Sequence, residues 1–242
     1  MNKYCLIGYP IEHSLSPKMH NKWFHRYGIH AHYKLEEVRP RELETKIRYL
    51  TKNYSGFNVT YPLKKEITPY LDWISREAKD LKSVNTVTVE EGKLLGYNTD
   101  VFGIKQVIGK IQNDHCYILG NGNMAKTVIH SINSRDITVV CRDIDKAKRD
   151  LEKDHINYIT YHEFKEHQIS HKLIINTLPL TLDIGEILLG KYENTLLDCN
   201  YKVRNNYNIR VYLDGLEILI HQGAEAFRIW TGKTPVVDGI LD

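Results

Sequence analysis

The chain has 242 residues, 42% of them hydrophobic and 26% charged, with a formal net charge of +3. That balance is typical of a globular protein with room for one or two domains. Basic residues are mixed with acidic ones, which argues against a nucleic-acid footprint, and no apolar run approaches the length of a membrane span.

In chain order, the first strand is expected over Tyr4–Gly8. The opening MNKYCLIGYP is too short in its apolar part for a secretion signal and reads as that strand. It runs into PIEHSLSPKMHN (10–21), where Ser14 and Ser16 stand just ahead of Pro17. Ser16 with Pro17 behind it fits a helix N-cap followed by proline at the first helical position. The same two hydroxyls, at a helix start, can hold a carboxylate. A helix is expected near 17–27, a strand over His32–Glu37, a helix near 41–52 and a strand over Gly56–Thr60. Lys64 lies just past that strand end and a proline-containing turn, where α/β proteins place ligand groups.

One long amphipathic stretch is expected near 64–82, then a strand over Thr86–Glu90 with Asn85 at its start. GKLLGYNTDVFG (92–103) is glycine-rich and reads as a turn and a domain boundary. Asp100 within it either caps a helix near 101–112 or serves a ligand. Further strands are expected over Cys116–Gly120, Ile137–Cys141, Lys172–Asn176 and Thr195–Asp198. Helices are expected near 124–134 and 145–153, and a long amphipathic segment at 215–232. Strand–helix alternation of this kind predicts an α/β fold with mainly parallel sheets. If the last helix packs back on the first half, that domain is discontinuous: 1–100 with 216–242, around a second domain over 101–215.

Cys5, Cys116, Cys141 and Cys199 each lie in or beside an apolar run without a C-x-x-C pair, the pattern of buried reduced thiols. The twelve histidines are dispersed, and no metal site is expected. His13 and His20 are expected to pack or hydrogen-bond locally.

CYILGNGNMAKTVIHSI (116–132) sets Gly120-x-Gly122-x-x-Ala125 between a strand and a helix, the context of a dinucleotide fingerprint. Gly120 permits the tight turn, Gly122 lets the backbone approach a pyrophosphate, and Ala125 permits close helix–strand packing. About twenty residues on, Arg142 suits a ribose 2′-phosphate, Asp143 suits a free 2′-hydroxyl, and Lys146 restores positive charge. In the first half, Thr60, Asn85 and Asp100 can bind ring hydroxyls, and Lys64 with Asp100 forms a proton-transfer pair. The set permits hydride transfer to a carbonyl on a small polyhydroxylated acid.

These motifs, in this order, resemble those of the shikimate dehydrogenases (shikimate/quinate 5-dehydrogenases) almost end to end. IGYPIEHSLSPKMHN (7–21) is similar to the family's substrate-carboxylate loop, and GFNVTYPLKK (56–65) to its N-V-T-x-P-x-K motif. SVNTV (83–87) and GYNTDVFG (96–103) match the next two motifs, LGNGNMAK (119–126) is similar to the cofactor turn, and GLEILIHQGAEAFRIWTG (215–232) resembles the G-x-x-M-L-x-x-Q-A helix. The resemblance implies an α/β substrate-binding domain plus a Rossmann-like NAD(P)-binding domain, with the active site in the cleft between them. It implies that Ser14 and Ser16, helped by Tyr201, hold the substrate carboxylate. Thr60, Asn85, Asp100 and Gln222 would bind ring hydroxyls, and Lys64 would be the main acid/base group beside Asp100. Cofactor contacts would come from Gly120, Asn121, Gly122, Asn123, Met124, Ala125, Arg142, Asp143, Lys146, Asn176, Thr177, Leu178 and Gly215.

The activity so implied is reversible NADPH-dependent reduction of 3-dehydroshikimate to shikimate, in the route to chorismate and the aromatic amino acids. It would run in the cytoplasm, in a monomer or homodimer with no nucleic-acid or membrane partner. The departures cluster in the cofactor half. Asn121 and Asn123 stand where the family has small residues. Cys141-Arg142-Asp143 replaces Asn-Arg-Thr, and NTLPLTL (176–182) lacks the usual glycine. They leave open a paralogue that uses NAD(H) or quinate, and a poorly active ligand-sensing homologue.

Overall fold

The computed structural model describes residues 1–111, 114–132, 136–153, 156–201 and 207–241. The chain divides into two units, Met1–Gly103 with Leu219–Asp242, and Ile104–Ile218. The expected helix ends at 112 and at 133–134 lie outside the described residues.

The first unit begins β1 (Asn2–Gly8), α1 (Ser16–Arg26), β2 (Ala31–Glu37), α2 (Leu43–Asn53), β3 (Gly56–Val59) and α3 (Leu63–Glu66). It continues with β4 (Trp73–Ile74), α4 (Arg76–Leu81), β5 (Thr86–Glu90), β6 (Lys93–Tyr97) and the first turn of α5 (Asp100–Ile108). Its strands lie in the order β2-β1-β3-β5-β6-β4. β1 is parallel to β2 and β3, but β5 is antiparallel to both β3 and β6. The mainly parallel expectation therefore holds for only part of this sheet. For β5 and β6 the reason is a hairpin. Glu91 and Gly92 both have positive φ, 51° and 78°, so a two-residue loop folds β6 directly onto β5. The stretch 92–103, expected as a turn, contains this strand.

The expected helix near 64–82 is broken into pieces. Pro69 sits in a short 3₁₀ turn, Thr68–Tyr70, and cannot continue α3. α4 starts afresh, with the Ser75 side chain accepting a hydrogen bond from the Ala78 N–H, and ends at Lys82 in the left-handed region.

The second unit carries β7 (His115–Leu119), α6 (Asn123–Ser131), β8 (Asp136–Cys141), α7 (Ile144–Leu151), β9 (Asn157–Thr160) and α8 (Tyr161–Glu166). β10 (Leu173–Asn176), β11 (Thr195–Asp198), β12 (Val211–Leu213) and the start of α9 (Leu216–Thr231) follow. The order β9-β8-β7-β10-β11-β12 is parallel throughout. This is the doubly wound arrangement, with strand order reversing between β7 and β10.

Alternation along the strands divides each core into two faces. In β1, Tyr4 and Leu6 pack with Met19, Trp23 and Phe24 of α1 and Phe227 of α9. Cys5 and Ile7 face the other way, onto Ile47 and Leu50 of α2. In β7, Cys116 and Ile118 pack with Ala125 and Val128 of α6, while Tyr117 and Leu119 meet Phe164 of α8. Cys5, Cys116 and Cys141 are buried and Cys199 is half-buried. Among the described residues no helix is long and apolar enough to cross a membrane.

Candidate active site

In the first unit the chain passes from β1 through α1 to β2 on one side, then through α2 to β3 on the other side of β1. The loops after β1 and β3 therefore leave the sheet side by side, at the switch point where open α/β sheets bind ligands. One loop carries Ser14 and Ser16; the other carries Thr60 and leads to Lys64. They are tied by a hydrogen bond from the Tyr9 N–H to the Tyr61 carbonyl, 3.0 Å. Gly8 lets them approach this closely, since a Cβ there would run into the Thr60 methyl.

α1 starts at Ser16 with Leu15 as its N-cap and no capping side chain. The N-cap expected at Ser16 is thus displaced by one residue, and Pro17 takes the second helical position. The Ser14 hydroxyl instead accepts from the Ser16 N–H at 3.3 Å and donates to the Ser16 hydroxyl at 3.1 Å. This local turn brings the two hydroxyls together at the helix start.

Lys64 Nζ lies 2.6 Å from Asp100 Oδ2, with side-chain exposures of 25% and 13%. The other carboxylate oxygen, Oδ1, accepts from Asn85 Nδ2 at 2.9 Å. Both oxygens of Asp100 are thus engaged. α5 begins at Asp100 itself, so the capping role for a helix from 101 is replaced by this pairing. Asn85 is the hub. Its Nδ2 also reaches Thr99 Oγ1 (3.0 Å) and Gln222 Oε1 (3.3 Å), and its Oδ1 accepts from the Thr99 N–H (2.7 Å). α9 comes close enough to place Gln222 because Gly223 leaves room; a Cβ there would run into Met19 of α1. The Thr60 hydroxyl makes no hydrogen bond among the described residues, although its backbone N–H and carbonyl are both used.

Sequence reasoning missed the groups behind this front. Thr86 Oγ1 donates to Asn85 Oδ1 at 3.1 Å, and Asn58 Nδ2 donates to the Asn85 carbonyl at 3.1 Å and to Thr86 Oγ1 at 2.9 Å. The Tyr33 hydroxyl donates to Asn58 Oδ1 at 2.8 Å. The detectable signal was a polar residue at a strand position whose neighbours, Phe57 and Val59, are core.

In the second unit the turn after β7 and the loop after β10 meet at the second switch point. Gly120 has φ +101°, and a Cβ there would lie 3.0 Å from Thr177 Oγ1 and from Leu178. The Thr177 hydroxyl donates to the Leu119 carbonyl at 2.7 Å. Gly122, by contrast, faces open space and precedes α6 with no capping side chain. The backbone N–H groups of Asn123 and Met124 begin that helix, and Ala125 packs fully buried beneath it. An open, uncapped helix start behind a glycine turn fits the pyrophosphate of a dinucleotide.

The departures find structural roles here. Asn121 Nδ2 donates to Asp150 of α7 at 2.9 Å, pinning the turn. Asp143 is the N-cap of α7, its Oδ1 accepting from the Lys146 N–H at 2.9 Å. One oxygen of that carboxylate is therefore directed to the helix, while Arg142 and the Lys146 side chain are exposed. Asn176 accepts from the Leu178 N–H and donates to Asp198 Oδ1. Asp198 is 1% exposed and also accepts from the backbone and side chain of Asn200. Asp198 and Asn200 thus shape the loop after β10, and neither was singled out from the sequence. The Gly215 N–H donates to the Asn200 carbonyl, and a Cβ at Gly215 would collide with the Cys199 carbonyl. Tyr201 belongs to this unit; burial pushes its hydroxyl pKa up.

Residues 6–87 match the family described as the shikimate dehydrogenase substrate binding domain, and 215–242 match the shikimate 5'-dehydrogenase C-terminal domain. The chain is 34% identical over 252 residues to a shikimate dehydrogenase (NADP(+)) of Pyrococcus furiosus, covering 95% of this chain and 90% of that one. It is 36% identical over 255 residues to one of Clostridium beijerinckii, covering 95% and 92%. Among solved structures it is similar to the Thermus thermophilus shikimate 5-dehydrogenase in complex with shikimate (TM-score 0.87, 27% identity, 100% and 96% covered). It is similar too to the same organism's enzyme in complex with NADP(H) and shikimate (TM-score 0.84, 26% identity, 100% and 97% covered).

Proposed function

The chain belongs to the shikimate dehydrogenase family, and from that premise we propose that it catalyses the reversible NADPH-dependent reduction of 3-dehydroshikimate to shikimate. The observation that carries the proposal is the Lys64–Asp100 pair, 2.6 Å apart and hydrogen-bonded through Asn85 into a site that also gathers Gln222. We take the reaction to run in the cytoplasm, in a monomer or homodimer.

When bound, NADPH supplies the hydride. The chain's own residues do the rest. Ser14 and Ser16 hold the substrate carboxylate, and Thr60, Asn85 and Gln222 orient the ring through its hydroxyls. Lys64 presents its ammonium to the carbonyl oxygen of the substrate. It stabilises the negative charge that develops there and donates the proton that completes the alcohol. Asp100 keeps the ammonium aimed, while Asn85 fixes Asp100 through its second oxygen. In the oxidative direction Lys64, as the free amine, takes the hydroxyl proton back. Gly120, Gly122 and the start of α6 hold the pyrophosphate. Arg142 and Lys146 offer positive charge to a ribose 2′-phosphate, and the capping role of Asp143 supports NADP(H) over NAD(H) by turning an oxygen into the helix. Asn176, Thr177 and Leu178 border the same switch point.

The test is a spectrophotometric assay with shikimate or quinate against NADP or NAD, following reduced cofactor. Turnover with shikimate and NADP as the best pair is expected. A best pair of quinate with NAD would replace the proposal with the paralogue. Binding of shikimate without turnover in any pair would replace it with the ligand sensor.

A further inference from the structure

Asn85 is surrounded by more partners than it has protons and lone pairs. Its two Nδ2 protons have three acceptors within reach: Asp100 Oδ1 (2.9 Å), Thr99 Oγ1 (3.0 Å) and Gln222 Oε1 (3.3 Å). Its Oδ1 has three donors: the Thr99 N–H (2.7 Å), the Thr86 hydroxyl (3.1 Å) and the Thr99 hydroxyl (3.2 Å). The shortest contacts select one assignment. Asn85 gives its protons to Asp100 and Thr99, and its Oδ1 takes the Thr99 N–H and the Thr86 hydroxyl. The Thr99 proton then goes to Gln222 Oε1 at 3.3 Å. Gln222 gives one Nε2 proton to the Leu219 carbonyl and keeps the other. Asn85, in this assignment, has nothing left for a ring hydroxyl. A second assignment uses the same atoms. The two threonine oxygens are 3.1 Å apart, and either can donate to the other. Once the Thr86 proton turns from Asn85 to Thr99 Oγ1, that oxygen no longer needs an Asn85 proton. Asn85 then has one Nδ2 proton and one Oδ1 lone pair to offer, and Thr99 still donates to Gln222. Thr86 accepts from Asn58 Nδ2 (2.9 Å) either way, so no buried group is left unpaired. Thr86 and Thr99 are 0% and 2% exposed, and neither hydroxyl exchange involves solvent.

We propose that Thr86 and Thr99 are positioning residues for ring recognition: rotation of the Thr86 hydroxyl releases Asn85 to a substrate hydroxyl while Gln222 stays held. This rests on the reading of Asn85 and Gln222 as ring-binding groups. The effect belongs on binding rather than on turnover. Asp100 Oδ1 keeps its Asn85 proton in both assignments, so the Lys64–Asp100 pair is unchanged. Loss of either hydroxyl blocks the exchange. Without Thr99 Oγ1, the Thr86 proton has only Asn85 Oδ1 to go to among the described residues. Without Thr86 Oγ1, the side-chain donor left to Thr99 Oγ1 is Asn85, whose proton it therefore retains.

The experiment is a double-mutant cycle of Thr86→Val and Thr99→Val, read by the KM for shikimate, by kcat, and by calorimetric titration of shikimate without cofactor. Each single variant should raise KM and the dissociation constant about three- to tenfold, the size of one hydrogen bond, with kcat within about twofold. The double variant should lie within about twofold of the larger single effect, since the exchange can be lost only once. Thr99→Ser keeps the hydroxyl and should return KM to within about twofold of the unmodified protein. Factors that multiply in the double variant, a serine variant as impaired as the valine one, or a fall in kcat with KM unchanged would each overturn the proposal. If a valine variant does not fold, Thr99→Cys keeps a group of similar size and weakens it as donor and acceptor. It should raise KM in the same direction, and an unchanged KM would overturn the proposal equally. Failure of the unmodified protein to bind shikimate at all would overturn the reading of the site and the proposal with it. Binding by the unmodified protein, with KM unchanged in both valine variants, would overturn the proposal alone.

Discussion

Substituting His20 by Phe separates a packing effect from a protonation effect in one measurement. His20 is fully buried, and neither ring nitrogen has a hydrogen-bond partner among the described residues. Its ring neighbours are Tyr33, Trp23, Phe24 and Trp230, none of them charged at neutral pH. Burial lowers its pKa from 6.5 to about 3. The sign follows from linkage. Above pH 6.5 the imidazole is neutral in both folded and unfolded chains. Below it the unfolded chain takes up a proton that the folded one refuses, so stability is lost as pH falls, until about pH 3. Each pH unit in that window costs about 1.4 kcal/mol, so His20 alone should remove about 2.5 kcal/mol between pH 7 and pH 4.5. Phe carries no such proton. Whatever it costs or gains in packing is the same at both pH values and cancels. The assay is urea denaturation followed by tryptophan fluorescence, which reports on the first unit because Trp23, Trp73 and Trp230 all lie in it. The stability difference between His20→Phe and the unmodified protein should shift towards the variant by about 2.5 kcal/mol on acidification. A difference that stays constant between the two pH values would refute the reasoning.

Other substitutions test the site and its supports. Lys64→Ala should lower kcat about 10²- to 10⁴-fold with a smaller change in KM, because its proton and charge are used in the transition state. Near-normal turnover would remove Lys64 from the mechanism. Asp143→Ala should destabilise the protein by about 1 kcal/mol through loss of the α7 cap, whereas Asp143→Asn, itself a good cap, should be close to neutral by thermal melting. The Asn variant should leave the NADP:NAD ratio of kcat/KM within about threefold; a larger shift would mean that the Asp143 charge acts on the ribose despite the cap. Gly223→Ala should cost about 1–3 kcal/mol in urea denaturation, since its Cβ collides with Met19, and should raise KM for shikimate by displacing Gln222. Unchanged stability would show that α1 and α9 can part without loss.

Much of the framework was legible because it depends on local patterns. Apolar runs such as CYILG and ITVVC are continuous, as expected of strands buried on both faces, and each is followed by a helical period. The hairpin of β5 and β6 was hidden because its loop is Glu91-Gly92 rather than Asn-Gly, and because β6 contains Gly96 beside the crowded Leu71 and Val84. The break at Pro69 could have been read from proline alone; amphipathic spacing on either side concealed it. Ser16 shows how close and how incomplete a cap argument can be. Serine before proline does mark the start of α1, but the structure shifts the serine inside the helix by one residue and releases its hydroxyl for other work.

The polar interior of the site is a different case. Tyr33 and Asn58 sit in strands at positions where alternation predicts burial, and a buried polar side chain demands a partner. The partner cannot be found from spacing, because 25 residues separate Tyr33 from Asn58 and 27 separate Asn58 from Asn85. Only the order β2-β1-β3-β5 brings the three together, and that order follows from which helices cross the sheet. Motifs therefore revealed the residues at the front, Lys64, Asn85 and Asp100, because each stands at the edge of a strand or the start of a helix. The residues that hold them were visible only as exceptions to an apolar pattern. Such exceptions identify where a site needs rigid support: the buried Tyr33 hydroxyl is satisfied by Asn58 Oδ1, and that bond leaves Asn58 Nδ2 turned to the Asn85 carbonyl.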